Sequence, residues 1–454
     1  MRYLSNCDGI GAAHLAWQPR GWSCVGVSET AQFPTAAVRH HYGFRRLGNM
    51  TGFPAWPEEL VAGIELVAAG TPCQPYSVAG KRLGLADERG ALLLDFADQF
   101  NHVNMIRRKH GLPPALILLE NVPRLLGSND NAFGEFVSRV LGCDAVPETK
   151  NGKWPKAGLL GSETARVSWR ILDSQHFAVA QRRKRVFLLG VPTELIERFG
   201  DRVCPSRILS LRSSGAVKTL TLKVRGGISQ ASWVAKPSEW VSGSLDLPWL
   251  KGVPGVCSLP CRVNLSEVLE AGPVDEKYYI TREKALHNLE RAKAKRQKLP
   301  PLYEAVLMKV ASGSRGIAGD LATWTAKEAG NCADLPDRHS GDPIVVPIAT
   351  SEVANTLTVC LWDGFRSNGL PKHGLVIEGD RLRLLIPREW ERLMGFPDNF
   401  TLIPNRKNEL AKDSLRFAGL GNSIVVPILS WIAQQIEQGF TLDSGLGRLH
   451  EQRR

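Results

Sequence analysis

Apolar positions in this chain fall into short unbroken runs rather than strict alternation, the pattern of strands covered on both faces of a sheet. Ile64 to Ala69 and Ala115 to Leu119 are the clearest runs, with Tyr3-Leu4 and Cys24 to Val27 as shorter ones. Helices are predicted between them, from Ala12 to Trp17 and from Arg89 onward, where Ala91-Leu92-Leu93-Leu94-Asp95-Phe96 opens a strongly apolar face. Strands alternating with helices predict an α/β fold around a parallel sheet. Residues Asn151 to Gly161 read as a surface loop, and Ser168 to Leu172 and Val186 to Gly190 as further apolar segments. From Pro192 to about Arg381 the periodicity weakens, which predicts a second, smaller domain, mostly irregular and β-rich. The helical pattern resumes at Pro387 to Met394, with Pro387 suited to a first turn. A last helix is expected from about Val426 to Gln438. The resulting division is 1–190 completed by 415–440, then 191–400, with 441–454 as a tail.

A chain of 454 residues is long enough for two domains, and its 43% hydrophobic and 22% charged content is ordinary for a globular protein. The amino-terminal Met1-Arg2-Tyr3-Leu4 runs into polar Ser5-Asn6-Cys7-Asp8, unlike a secretory leader. The runs at Ala115–Leu119 and Ile424–Ala433 read as too short or too interrupted to span a bilayer. A soluble cytoplasmic protein with no membrane partner is therefore expected. The nine cysteines are scattered, with Cys257 and Cys261 the only close pair, so neither a zinc site nor a disulfide framework is expected. A formal net charge of +12 favours a polyanionic partner.

The candidate chemistry gathers where strands end. Gly70-Thr71-Pro72-Cys73-Gln74-Pro75-Tyr76-Ser77 follows the Ile64 strand and places a thiol between two prolines at the carboxyl edge of the sheet. That edge is where open α/β folds bind ligands. The first strand runs into Asn6-Cys7-Asp8-Gly9-Ile10-Gly11, a glycine turn that lets a ligand approach the backbone at a helix start. It lacks the third glycine of a dinucleotide fingerprint. The second strand ends in Glu29, suited to ribose hydroxyls, and Leu47-Gly48-Asn49 offers a third loop on the same edge. Glu120-Asn121 ends the Ala115 strand, and burying that carboxylate needs a partner or a function. In Gln181-Arg182-Arg183-Lys184-Arg185, strand alternation puts Gln181, Arg183 and Arg185 on one face. The middle of the chain interleaves Arg225-Gly226-Gly227 and the basic run Arg291 to Lys298 with Trp233, Trp240, Trp249, Trp324 and Trp362. Basic groups among aromatics suit nucleic-acid contact, or the tryptophans build a small core.

Taken in order, these motifs resemble those of the cytosine-C5 DNA methyltransferases of the bacterial and phage type. The resemblance covers roughly residues 3–190 and 382–435, and includes Arg392-Leu393-Met394-Gly395-Phe396-Pro397-Asp398 and Gly421-Asn422-Ser423. It implies a Rossmann-like catalytic domain using S-adenosylmethionine, and a target-recognition domain over duplex DNA. By the resemblance, Cys73 attacks C6 of a flipped-out cytosine, Glu120 stabilises N3, and Arg183 and Arg185 complete the catalytic set. Asp8, Gly9, Gly11, Glu29, Asn49, Asn422 and Ser423 would hold the cofactor. Gln74, Ser77, Asn121, Gln181 and Thr356 would contact the substrate, with Asn355-Thr356-Leu357-Thr358 similar to a short element late in the recognition domain. A monomer is expected, and a cognate restriction endonuclease acting separately is compatible. Cys7 stands where the family has a phenylalanine, and Asn49 where it has aspartate. The same chemistry on tRNA cytosine remains the alternative. An amino-methylating enzyme would instead carry a Pro-Pro-Tyr/Phe loop and need no thiol.

Overall fold

The computed structural model describes residues 1–73, 76, 84–149, 152–209, 268–272, 274–294, 296, 301–313, 381–405 and 407–441, with short strands at 217–220, 231–234, 344–346, 354–355 and 375–378. Backbone contacts divide the chain into two compact units, one of residues 1–177, 184–260 and 423–454, the other of 178–183 and 261–422. The first unit thus takes in residues 191–260, which the sequence pattern assigned to the second domain, and the second takes in 401–422.

The first unit begins β1 (Arg2–Asn6), α1 (Ala12–Trp17), β2 (Ser23–Ser28), α2 (Gln32–Tyr42), α3 (Glu58–Ala62), β3 (Leu66–Gly70), α4 (Glu88–Lys109) and β4 (Leu116–Asn121). These four strands pair parallel in the order β2-β1-β3-β4. Consecutive strands diverge to either side of β1, so the carboxyl ends of β1 and β3 form a topological switch point. Both faces are covered, and Leu4, Val67, Ile117 and Leu119 join Phe96, Phe133 and Phe136 in one core. After α5 (Ala132–Leu141) come β5 (Ala157–Gly161), β6 (Ala165–Asp173), β7 (Gln181–Arg182) and β8 (Lys184–Pro192).

β8 pairs antiparallel with β4, β6 with β8, and β5 with β6. The expected surface loop at 151–161 is therefore partly wrong, because 157–161 form β5. Gly158 faces Trp169 across this ladder, and a methyl group there would sit 2.3 Å from the indole. The missing side chain of Gly158 is what admits the tryptophan. Strands β9 (Val217–Leu220) and β10 (Ala231–Val234) extend the same sheet beyond β5.

The carboxyl-terminal helix Val426–Thr441 returns to the first unit, where the indole N–H of Trp17 donates to the carbonyl of Leu429 at 3.1 Å. Arg20 and Trp22 both bond Glu437. The helical stretch 413–440 is long and apolar enough, by length and composition, to cross a membrane. Most of it is buried inside the protein, with Ile428, Ile432 and Ile436 fully covered.

In the second unit, β11 (Ile344–Val346), β13 (Leu375–Glu378) and β14 (Arg381–Leu384) form a small antiparallel sheet, while β12 (Ala354–Asn355) pairs parallel with β7. Residues Arg282–Ala294 and Pro301–Ser312, within the weakly periodic stretch, form two helices joined by Arg282 Nε donating to the carbonyl of Ala311. Helix Pro387–Met394 organises the rest. Its Glu389 is fully buried and meets Arg383 in two hydrogen bonds of 2.9 Å, and its Glu391 binds Arg416 and the backbone of Thr401.

Candidate active site

The ends of β1, β3 and β4 enclose a cavity at the switch point, lined by Ser5, Asn6, Cys7 and Asp8 on one side and by Ala68–Gly70, Leu118 and Glu120 on the other. Ala12, Ala13 and Trp17 of α1 and Ile424 and Leu429 of the returning carboxyl-terminal segment close it. Small residues make the room. A methyl group on Gly70 would lie 3.3 Å from Ile424 Cδ1 and 3.6 Å from Glu120 Oε2, while Gly9, at φ +61°, faces open space.

The turn from β1 into α1 is left-handed at Cys7, Gly9 and Gly11, with φ of 48°, 61° and 90°. Glycine adopts such angles freely, whereas Cys7 is strained there. Glu29, just past β2, reaches back to accept the N–H of Gly9 at 2.9 Å and also accepts Thr30 and Ala31 at 2.8 Å. Burial pushes its carboxyl above the usual range, against the opposing pull of those backbone donors. The Cys7 thiol is pushed up to about 12, first by burial and then by Glu29 and Asp8, so it is inert as a nucleophile.

Asp8, expected at the cofactor, is among the residues that line the cavity. Its side chain has no exposure, and its carboxylate accepts from Ser5 Oγ and pairs with His14 Nε2 at 2.9 Å. Asn49 is exposed and caps the short helix at Met50–Ala55, its Oδ1 accepting the Thr51 N–H at 3.2 Å. Ser28 Oγ pins that loop by donating to the carbonyl of Gly48. Ser423 is buried and Asn422 exposed, at the junction of the two units.

Cys73 is half-buried and not in a disulfide, three residues beyond Gly70. In the β3–β4 ladder Gly70 stands opposite Glu120. Asn121, expected to touch substrate, is 1% exposed. Its amide donates to the carbonyl and hydroxyl of Thr71 at 3.2 and 2.9 Å, tethering the start of the thiol loop to the end of β4. Glu120 pairs with Arg185, Oε1 to Nε, at 3.1 Å. The basic run alternates as its strand period predicts, with Gln181 and Arg183 buried, Arg185 half-buried and Arg182 and Lys184 exposed. Arg183 lies in the second unit and donates from Nη2 to the carbonyl of Gly421 at 3.0 Å. Gln181 stands beside Ala354 and Arg182 beside Asn355 in β7–β12. Gln74, Ser77 and Thr356 lie outside the described residues, as do Arg225–Gly227 and the side chains of the mid-chain tryptophans.

The parallel sheet with a glycine turn and a cavity at its switch point is a Rossmann-like α/β arrangement. The backbone matches that of the Entamoeba histolytica methyltransferase EhMeth with a TM-score of 0.52 over 96% of this chain and 98% of that one, at 12% identity. The chain belongs to the C-5 cytosine-specific DNA methylase family, whose model matches residues 1–438. It is 30% identical over 493 aligned positions to a phage P1 protein named DNA N-6-adenine-methyltransferase, covering 96% of this chain and 61% of that one. It is 21% identical to the type II methyltransferase M.NlaIV of Neisseria lactamica, over 83% of each. The chain thus spans about three fifths of the phage relative, and 40% of the Bacillus subtilis methyltransferase M.BsuFI.

Proposed function

We propose that this protein transfers a methyl group from S-adenosylmethionine to C5 of a flipped-out cytosine in duplex DNA, through a covalent bond between Cys73 and C6. The observation that carries this reading is Glu120, paired with Arg185 and set in the wall of the cavity that Cys7 and Asp8 of the glycine turn also line, opposite the strand end that leads to Cys73.

The cavity fits an adenosyl cofactor. Gly9 leaves its approach open, Ala12, Ala13 and Gly70 keep the walls thin, and the Glu29 carboxylate is fixed by three backbone donors beside Gly9. When bound, the cofactor supplies an electrophilic methyl group. Gly9, Gly11 and Glu29 would hold it, with Asn49, Asn422 and Ser423 contributing from neighbouring loops and Asp8 only through its backbone.

C5 of cytosine is a poor nucleophile, and covalent addition divides one difficult step into easier ones. The Cys73 thiolate forms a bond to C6 while the ring electrons move toward C5 and N3. Glu120 stabilises the charge at N3 by hydrogen bonding, and Arg185 fixes the Glu120 carboxylate. C5 then takes the methyl group. Loss of the C5 proton and departure of Cys73 restore the ring. A paired base exposes neither C6 nor C5 to such attack, so the base must leave the stack, at a cost of a few kcal/mol. Residues 191–400 supply target recognition in this reading, with Gln74, Ser77, Gln181 and Thr356 toward the substrate. Arg183 acts through the carbonyl of Gly421 in the helix Asp413–Asn422. The protein works as a cytoplasmic monomer, and a cognate endonuclease would act separately.

The name of the phage relative favours a second reading, adenine N6 methylation. An exocyclic amine needs no thiol for its activation, and Cys73 with Glu120 argues for carbon methylation in the aligned portion. The test is transfer of label from S-adenosylmethionine to unmethylated duplex DNA and, in parallel, to unmodified tRNA, followed by nucleoside analysis, for wild type and Cys73→Ser. Label in 5-methylcytosine with wild type alone supports the proposal. Label in N6-methyladenine that survives Cys73→Ser supports the second reading, and label in tRNA alone moves the chain to the RNA alternative.

A further inference from the structure

Tyr3, His14, Asp8 and Ser5 form a continuous buried chain beneath the glycine turn. The Tyr3 hydroxyl lies 2.7 Å from His14 Nδ1, His14 Nε2 lies 2.9 Å from Asp8 Oδ2, and Ser5 Oγ donates to Asp8 Oδ1. Neither His14 nor Asp8 exposes any side-chain surface, although Asp8 as a residue is half-exposed. Its backbone therefore faces outward at the cavity while its carboxylate is anchored inside. The imidazole is enclosed by Tyr3, Tyr42 and Phe44, with ring centroids 5.6, 5.0 and 4.5 Å away. It also supports Gly11 directly, since a methyl group there would stand 3.2 Å from His14 Cδ2.

A backbone that is left-handed at Cys7, Gly9 and Gly11 persists only where its surroundings over-determine it. Two backbone bonds contribute, from Cys7 N–H to the carbonyl of Ser28 at 2.7 Å and from Gly11 N–H to the carbonyl of Asp8 at 3.2 Å. Glu29 accepts the Gly9 N–H at 2.9 Å, and Asp8 between them is held by its side chain. We propose that the Tyr3–His14–Asp8–Ser5 chain is a positioning device that keeps the turn in its cofactor-receiving shape, with His14 the residue that links the turn to both β1 and α1. The proposal rests on the reading of this cavity as the S-adenosylmethionine site. The chain converges on Asp8, with Ser5 Oγ donating to Oδ1 from one side and His14, itself within hydrogen-bond distance of the Tyr3 hydroxyl, facing Oδ2 from the other. Neither Asp8 nor His14 touches a reacting atom.

The test measures binding of S-adenosylmethionine and of its demethylated product by calorimetry in the full chain carrying Cys73→Ala. Asp8→Ala, Asp8→Asn and His14→Phe are added singly, and His14→Gln replaces His14→Phe should the latter not fold. Asp8→Ala and His14→Phe are expected to weaken both ligands by on the order of ten- to a hundredfold, the loss typical when a supporting partner behind a ligand-holding group is removed. Asp8→Asn keeps acceptor atoms toward His14 and Ser5 and should recover most of the affinity. In enzyme retaining Cys73, the loss should appear in KM for the cofactor and not in KM for DNA. Unchanged affinity in folded variants, or an equal loss for both substrates, overturns the proposal. Failure of the Cys73→Ala parent to bind either ligand removes the cofactor reading, and this proposal with it.

Discussion

Arg185 Nε and Glu120 Oε1 lie 3.1 Å apart because their strands are antiparallel and the two residues are diagonal neighbours on one face. Glu120 stands opposite Phe187, two residues beyond Arg185. A carboxylate at the end of an apolar strand is thereby fixed by a guanidinium from the adjacent strand. Arg185→Ala should lower kcat by about 10²–10³-fold, the scale seen when one preorganised electrostatic group is removed from an active site. Arg185→Lys should recover only part of this, since an ammonium cannot reproduce the fixed guanidinium geometry. Single-turnover methylation at saturating DNA and cofactor separates this from a binding defect.

Asn121 offers a test of how the thiol loop is held. Asn121→Ala removes the donor to the Thr71 carbonyl and hydroxyl in a site that is 1% exposed. The expected cost is about 1–3 kcal/mol of stability for leaving buried polar atoms without a partner. Urea unfolding should show a lower midpoint with an unchanged slope. Methyl transfer should fall as well, because Thr71 is two residues from Cys73.

Glu29 gives a pH dependence of definite sign. Its folded-state pKa is raised, chiefly by burial, so the folded protein without ligand holds this proton more tightly than the unfolded chain. The contribution to stability is fully present below the unfolded value of about 4.3 and is lost as pH rises through the higher folded value. Glu29→Gln removes that titration. The stability of the variant relative to wild type should therefore improve as pH rises from 4 to 7 in ligand-free protein, followed by thermal melting. Cofactor affinity should fall in the same variant. A stability difference that does not change with pH would refute the assignment.

In the second unit, Arg383 and Glu389 pair with both side chains fully buried. Arg383→Met alone strands a buried carboxylate and should cost about 3–5 kcal/mol, while the double variant Arg383→Met with Glu389→Leu should recover much of it. Chemical denaturation of the four proteins in this cycle measures the coupling.

Strand ends were the most readable part of the sequence. The runs at Ile64–Ala69 and Ala115–Leu119 became β3 and β4, displaced by one or two residues, because apolar strands inside a parallel sheet depend little on longer-range context. The inward face of Gln181, Arg183 and Arg185 followed from the strand period alone. The direction of polar side chains beside the strand ends did not. Asp8 and Asn121 stand beside strand ends with their side chains buried. What holds them is His14 in one case and Thr71 in the other, partners that pattern reading cannot place. The helices at Arg282–Ala294 and Pro301–Ser312 were hidden by charge in the first and by mixed apolar periodicity in the second. β5 was hidden by its glycines, whose partner Trp169 lies on the next strand.

The cavity wall joins residues from opposite ends of the polypeptide, Asn6 and Trp17 on one side and Ile424 and Leu429 on the other. A ribosome releases the first strand long before it reaches the last helix. The emerging chain can assemble the parallel strands, yet its pocket stays one wall short until Leu429 arrives to accept the indole proton of Trp17. The wall that Glu120 helps to form is therefore complete only once Ile424 and Leu429 are in place.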